Sequence, residues 1–107
     1  MPAAAPLLST QAAEQLVWLG EQLRLHRKQQ GFSAIATAEV AGMSRVTLHR
    51  IERGEPSVTV GAWIAAAEAL GLRLDLHDPQ APGATADSPQ LKTLEQRIRD
   101  LERRRLR

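Results

Sequence analysis

The side chains best suited to chemistry lie in one short stretch of the chain, from Ser44 to Arg53. Arg45 and Arg50 belong to it, and a guanidinium group can donate two parallel N–H groups to the edge of guanine or to a phosphate. His49 lies between them in the sequence. These residue types favour recognition of a polyanion over a chemical reaction.

Positive charge is concentrated in two segments, although the whole chain of 107 residues carries a net charge of only +2. From Arg24 to Arg53 there are six basic and two acidic residues, a net charge of +4. From Leu91 to Arg107 there are seven basic and three acidic residues, again a net charge of +4. Such clustering is typical of a surface that binds nucleic acid. An ordinary solvated helix surface is the alternative for either segment alone.

Enzymatic, metal-binding and membrane functions find little support in the sequence. The histidines, His26, His49 and His77, are far apart, and there is no phosphate-binding glycine loop and no Ser/His/Asp arrangement. The absence of cysteine excludes disulfides and thiolate metal sites. No apolar run approaches the roughly 20 residues of a membrane span, and Met1–Leu8 lacks the basic start of a signal peptide. We expect a cytoplasmic protein that is not an enzyme and needs no cofactor or metal.

Four helices are predicted to position the basic residues, over residues 10–30, 34–41, 45–53 and 60–70. They begin after hydroxyl residues suited to N-caps: Ser9 or Thr10, Ser33, Ser44 and Thr59. They end at glycines: Gly31, Gly42, Gly54 and Gly71. The apolar stripe of the first helix consists of Leu16, Leu19 and Leu23, and that of the fourth of Val60, Trp63, Ile64, Ala67 and Leu70.

The second and third helices are predicted to pack at a steep angle across a tight turn. Close crossing needs a small side chain, which Ala38 provides, and the turn needs a residue that tolerates positive φ, which Gly42 provides. Leu48 and Ile51 are placed to anchor the third helix inward. The four positions together favour a helix-turn-helix, because they meet its packing demands at the required spacing.

A short β-strand is predicted after the fourth helix, since Leu72, Leu74 and Leu76 alternate with polar residues. A lone strand leaves backbone groups without partners, and no other strand is evident. We therefore expect this strand to pair with its copy in a second subunit and to form a homodimer. The alternative is an extended tail that packs its leucines on the domain.

The C-terminal part consists of a predicted linker, residues 78–89, and a predicted basic amphipathic helix, residues 90–107. Leu91, Leu94, Ile98 and Leu101 follow at spacings of three and four, as in a coiled-coil seam about two heptads long. Such a helix is marginal alone. Three interpretations stay open: it orders on meeting a partner, it pairs within the dimer, or its basic end touches DNA phosphates.

The segment Gly31–Leu70 resembles the Cro/C1-type (XRE) helix-turn-helix family of DNA-binding proteins. The resemblance rests on Arg24–Arg27 before Gly31-Phe32-Ser33, on Ser44–Gly54 as recognition helix and stop, and on Ala69–Leu72. The leucine-rich segment and polar tail are similar to those of HipB-type antitoxins, in which such strands pair across a dimer. One departure is Ala34, where members often have a glutamine that holds a phosphate.

The resemblance and the geometry of the major groove imply roles for individual residues. Base reading is expected of Ser44, Arg45, Val46, Thr47, His49 and Arg50. Phosphate binding is expected of Arg24, Lys28, Ser33, Thr37 and Arg53. The family usually pairs a first-helix arginine with the glutamate after the recognition helix, which implies a structural salt bridge between Arg27 and Glu52.

The expected fold is all-α: a compact four-helix Cro/C1-type domain with its dimerising strand over residues 10–77, after a flexible N-terminus over residues 1–9. The expected function is a dimeric repressor that binds a palindromic operator in double-stranded DNA. It would act as the antitoxin of a toxin–antitoxin operon and bind a toxin protein through the linker and C-terminal helix. The alternative is a phage-type repressor or a stand-alone regulator without a toxin partner.

Overall fold

A computed structural model describes residues 7–80 and 89–105 of the chain. These residues form five α-helices: α1 Thr10–Gln29, α2 Ala34–Ala41, α3 Arg45–Glu52, α4 Val60–Ala69 and α5 Pro89–Arg105. They fall into two compact units, one ending at Leu74 and one beginning at Asp75. The four predicted helices of the first unit are confirmed, each to within one residue at either end. Most of the predicted linker lies outside the described residues.

The four helices of the first unit begin where a hydroxyl side chain can cap them. The side-chain oxygens of Ser9, Ser33, Ser44 and Thr59 each accept a hydrogen bond from the backbone N–H three residues later, at 3.1–3.2 Å. Each cap satisfies one of the backbone donors that the first turn of a helix leaves without an intrahelical partner. The predicted caps are confirmed, with Ser9 rather than Thr10 capping α1.

The turn between α2 and α3 depends on the left-handed backbone of Gly42, whose φ is 72°. Its N–H donates to the carbonyls of Ala38 and Glu39. The N–H of Met43 also donates to the Ala38 carbonyl, at 2.9 Å. These bonds close the C-terminus of α2 and redirect the chain into α3 within three residues.

The core lies among α1, α2, α3 and α4. Its buried apolar side chains are Leu23, Ala38, Leu48, Ile51, Trp63, Ala66, Ala67 and Leu70. Leu48 and Ile51 are fully buried and Ala38 is nearly so, as predicted for the helix-turn-helix. The prediction for α4 is corrected at Val60 and Ile64, which are exposed. The buried face of α4 includes Ala66 instead, so Ile64 lies at its edge and Val60 lies in the first turn.

The predicted strand is not present. Residues 72–77 have no regular secondary structure, and no strand occurs among the described residues. The physical reason is that the described part of the chain offers this segment no second strand to bond with. Leu72 and Leu74 pack against the core instead, whereas Leu76 is fully exposed. For Leu72 and Leu74 the structure therefore agrees with the alternative of a tail packed on the domain.

None of the helices in the described part of the chain combines the length and apolar character needed to cross a membrane.

The backbones of α1 and α3 approach each other closely at two glycines. A Cβ atom at Gly20, in the middle of α1, would overlap the carbonyl oxygen of Ile51 and lie 2.8 Å from that of Glu52. A Cβ atom at Gly54, just after α3, would collide with the backbone of Val17. Side chains are therefore excluded from this contact, and the two helices touch through their main chains.

We expect Gly20→Ala to lower the free energy of unfolding by about 3 kcal/mol, because overpacking forces the two backbones apart. Gly61→Ala is the matched control, since Gly61 is also helical but its Cβ would meet no atom closer than Thr59 Oγ1, at 4.0 Å. That substitution should stabilise the protein by about 0.5 kcal/mol through helix propensity. Thermal and urea unfolding of both variants check the prediction, and an equal response would contradict the close contact.

Candidate nucleic-acid interface

Helix α3 has one face in the core and the opposite face on the surface. Leu48, Ile51 and Glu52 are buried. The exposed face consists of Arg45, Val46, His49 and Arg50, with Arg53 following as the C-cap. At 100° per residue these five positions span a single continuous arc of the helix. The core therefore fixes the orientation of α3, and its basic residues project together.

Ser44 and Thr47 are linked to each other at the start of α3. The Ser44 hydroxyl accepts the Thr47 backbone N–H and donates to Thr47 Oγ1, both at 3.1 Å. Ser44 is exposed and Thr47 is half-buried. Capping therefore occupies the Ser44 hydroxyl in the free protein, and Arg45 and Val46 are the more accessible residues of this first turn.

Glu55 lies between the two arginines at the end of α3. Its carboxylate is 3.7 Å from Arg50 Nε and 3.5 Å from Arg53 Nη2. More than half of each arginine side chain is exposed, so these ion pairs are weak and a phosphate can replace the carboxylate. Glu55 was not among the site residues predicted from the sequence. Its position directly after the predicted stop at Gly54 was the available signal.

Arg45 differs from Arg50 because it forms no ion pair with any described residue. It occupies the first helical position, next to the backbone N–H groups that begin α3. These groups carry partial positive charge, so Arg45 adds to an anion-attracting helix terminus. The N-terminal end of α3 is therefore more open to an anionic ligand than its C-terminal end.

Helix α1 contributes basic residues beside α3. Arg24 forms an ion pair with Glu21 at 3.2 Å and lines one surface concavity together with His49 and Arg53. Lys28 is exposed, one turn further along α1. The structure thus brings one of the predicted phosphate ligands of α1 to the edge of the exposed α3 face.

The start of α2 agrees only in part with the expected phosphate contacts. Ser33 is exposed, and its hydroxyl accepts the Ala36 backbone N–H at 3.1 Å. Thr37 is 4% exposed, which leaves little of this residue for contact with a phosphate on the surface. We correct this prediction, since helical periodicity turns the position into the domain beside Ala38. Without Thr37, and with alanine at position 34, α2 offers the Ser33 hydroxyl and backbone N–H groups.

Arg27 and Glu52 form the ion pair that the resemblance implied. Arg27 Nε and Nη2 donate to the two carboxylate oxygens at 2.7 and 3.1 Å, and Arg27 Nη1 donates to the Phe32 carbonyl at 2.9 Å. Both side chains are more than nine-tenths buried. The hydrogen bond to Glu52 raises the pKa of Arg27, burial lowers it, and the charge of Glu52 raises it further, with a net increase. The guanidinium is therefore fixed as a charged link between α1 and α3 and is buried from the surface.

The histidines do not form part of a metal site within the described residues. His26 Nε2 lies 3.1 Å from the Leu70 carbonyl and joins α1 to the end of α4. No group of histidine, aspartate or glutamate residues within the described ranges could hold a metal ion. His26 is thus a structural residue, whereas His49 lies on the exposed face of α3.

Residues 18–80 match the family described as a helix-turn-helix domain. The match covers more than half of the chain and includes α2, the turn at Gly42 and α3. Comparison with curated proteins finds no match.

Proposed function

Because the chain belongs to the helix-turn-helix domain family, we propose that it is a sequence-specific transcriptional regulator that inserts α3 into the major groove of double-stranded DNA. The exposed arc of α3 is the observation that carries the proposal. The major groove is about 12 Å wide and admits an α-helix. An α3 anchored by Leu48 and Ile51 presents basic and small apolar side chains to such a groove.

Base reading is assigned to the N-terminal end and exposed face of α3, and phosphate binding to residues at the edge of that face. Arg45 is suited to a bidentate contact with guanine, and the methyl groups of Val46 and Thr47 are suited to thymine. His49 and Arg50 follow on the exposed face. Phosphate contacts fall to the residues at the edge of this face: Arg24, Lys28, Ser33 and Arg53. These contacts position the protein but carry no sequence information.

The proposed regulator acts as a dimer on a palindromic operator. Two copies of α3 related by a two-fold axis read half-sites about 34 Å, or one helical turn, apart. We further propose repression in the context of a toxin–antitoxin operon, which rests on the similarity of the leucine-rich segment and polar tail to HipB-type antitoxins. A gene for a toxin beside this one favours that role, whereas a phage cassette favours a phage-type repressor.

Selection from a random library of duplex DNA tests the central proposal. We expect enrichment of an inverted repeat whose half-sites are centred about 10 base pairs apart. Binding to the enriched sequence should weaken steeply with salt, since each neutralised phosphate releases counterions. Random duplexes of equal length are the control. Equal affinity for selected and random DNA would overturn sequence-specific recognition.

A further inference from the structure

Helix α5 carries an exposed apolar seam with the spacing of a coiled coil. Leu94, Ile98 and Leu101 are 41%, 57% and 58% exposed, and Leu91 continues the pattern in the sequence. Written as heptads abcdefg, Leu91 and Ile98 occupy a, and Leu94 and Leu101 occupy d. Ile98, the β-branched residue at a, together with leucine at both d positions favours two strands over three or four. The seam therefore fits a single partner helix.

Charged residues flank the seam in a pattern that distinguishes the possible orientations of a partner. The g positions next to the seam are Arg97 and Arg104, and the e positions are Glu95 and Glu102. In a parallel pair of identical helices, g of one helix faces e of the other, so arginine faces glutamate. In an antiparallel pair, g faces g and e faces e, so like charges meet. The charge pattern therefore selects a parallel partner of the same sequence.

From this pattern we propose that α5 pairs with α5 of a second copy of this chain as a parallel two-stranded coiled coil. The residues joined across the pair are Arg97 of one copy and Glu102 of the other, twice by symmetry. This inference extends the proposed function by naming the surface through which two copies associate, and it requires no DNA.

The ion pairs and side-chain hydrogen bonds within the described part of α5 do not involve Arg97 or Glu102, the two residues proposed to pair across the dimer. Arg99 pairs with Glu95 at 3.5 Å, while Asp100 accepts from Gln96 at 3.0 Å and lies 4.0 Å from Arg103. No ion pair joins Arg97 or Glu102 to another residue in the described ranges. Arg99, Asp100, Gln96 and Arg103 occupy the outward b, c and f positions. Residues on the outer face of α5 thus pair with each other or with Glu95, whereas Arg97 and Glu102, beside the seam, form no such pair in the described ranges.

The length of the seam predicts a reversible association. About two heptads give a marginal coiled coil, so dimers should form and dissociate with concentration.

Sedimentation equilibrium of the full chain without DNA tests the pairing. We expect a concentration-dependent dimer whose association constant falls roughly tenfold or more in Arg97→Glu, because glutamate then faces Glu102. Arg99→Glu is the matched control: it makes the same charge change on the same helix at an outward position, and it should leave dimerisation nearly unchanged. Circular dichroism of both variants checks that the helix content is retained.

Complementary variants keep the proposal falsifiable if Arg97→Glu acts through helix content. Glu102→Arg alone should also dissociate the dimer, and an equimolar mixture of the two variants should associate, because opposite charges are then restored across the seam. In an antiparallel pair Arg97 does not face Glu102, so an equimolar mixture of the two variants would associate no better than either variant alone. That result, or a monomeric wild-type chain whose α5 seam is left for a different protein, overturns the proposal, whereas failure of DNA selection would not affect it.

The orientation has a direct chemical readout, because the chain contains no cysteine. Leu94→Cys places one thiol at a d position, and in a parallel pair it faces its own copy. We expect mild oxidation to cross-link this variant as a dimer, and Gln96→Cys, at an outward f position, to remain largely uncross-linked. Equal cross-linking of both variants would overturn the assigned seam.

Discussion

Simultaneous replacement of Arg45 and Arg50 by alanine is expected to weaken operator binding by about two to four orders of magnitude. A bidentate arginine–guanine contact contributes about 1–3 kcal/mol of discrimination, and a factor of ten corresponds to about 1.4 kcal/mol. Both side chains lie on the exposed face of α3 and neither contributes to the core. The loss should therefore occur in a folded protein, as fluorescence anisotropy together with circular dichroism would show.

Arg53→Ala is the control that separates base reading from charge. Arg53 is as exposed as the other two arginines and also interacts with Glu55, but it lies at the end of α3, where phosphate contact is expected. Its removal should lower the affinity for selected and for random DNA by a similar factor and reduce the salt dependence of binding. If R45A/R50A also lowered both affinities equally, these arginines would bind phosphates and the assignment of base reading would be wrong.

Replacement of Arg27 by alanine is expected to cost about 3–5 kcal/mol of stability, because it leaves the buried Glu52 carboxylate without its counter-charge. Whole small domains are stable by only about 5–15 kcal/mol, so this variant should lose a large share of its free energy of unfolding and unfold at a clearly lower temperature. Since Glu52 raises the pKa of Arg27, the stabilisation from the charged guanidinium is fully present at and below neutral pH. It is lost only in strong alkali, as the pH rises through that raised value.

Two controls isolate the buried charge in this experiment. Arg24→Ala removes an arginine of the same helix from an exposed pair with Glu21. It should lower the free energy of unfolding by less than about 1 kcal/mol. Arg27→Met combined with Glu52→Leu removes both charges together and should recover most of the stability lost by Arg27→Ala. Urea unfolding of the three variants gives the comparison. A double variant as unstable as the single one would assign the loss to packing rather than to an unpaired carboxylate.

Local signals in the sequence predicted most of the first unit. A hydroxyl at an N-cap and a glycine after the last turn act on the nearest backbone groups, so Ser44 and Gly42 mark the bounds of α3 and α2 without knowledge of the fold. The anchoring of α3 by Leu48 and Ile51 was also predictable, since helical periodicity places both on the same face.

Apart from the Arg27–Glu52 pair, which the family resemblance implied, features that depend on contacts between distant parts of the chain were not predicted. The closeness of α1 to α3 is set by tertiary packing. The role of Gly20, which allows the two backbones to approach, could therefore not be predicted from the sequence. Alternation of leucines after α4 indicated a strand, but Leu72 and Leu74 pack on the core without one. Burial of Thr37 and exposure of Val60 likewise depend on which side of each helix its neighbours cover.

The main-chain contact between α1 and α3 at Gly20 and Gly54 has a consequence for the thermodynamics of recognition. Two backbones in direct contact have no rotamers between them that could rearrange, so the tilt of α3 against the domain is fixed when the protein folds. The conformational entropy of orienting the recognition surface is then lost in folding rather than on contact with DNA. The backbone of the domain is therefore preorganised, and the ordering cost of binding falls on the exposed side chains such as Arg50 and Arg53.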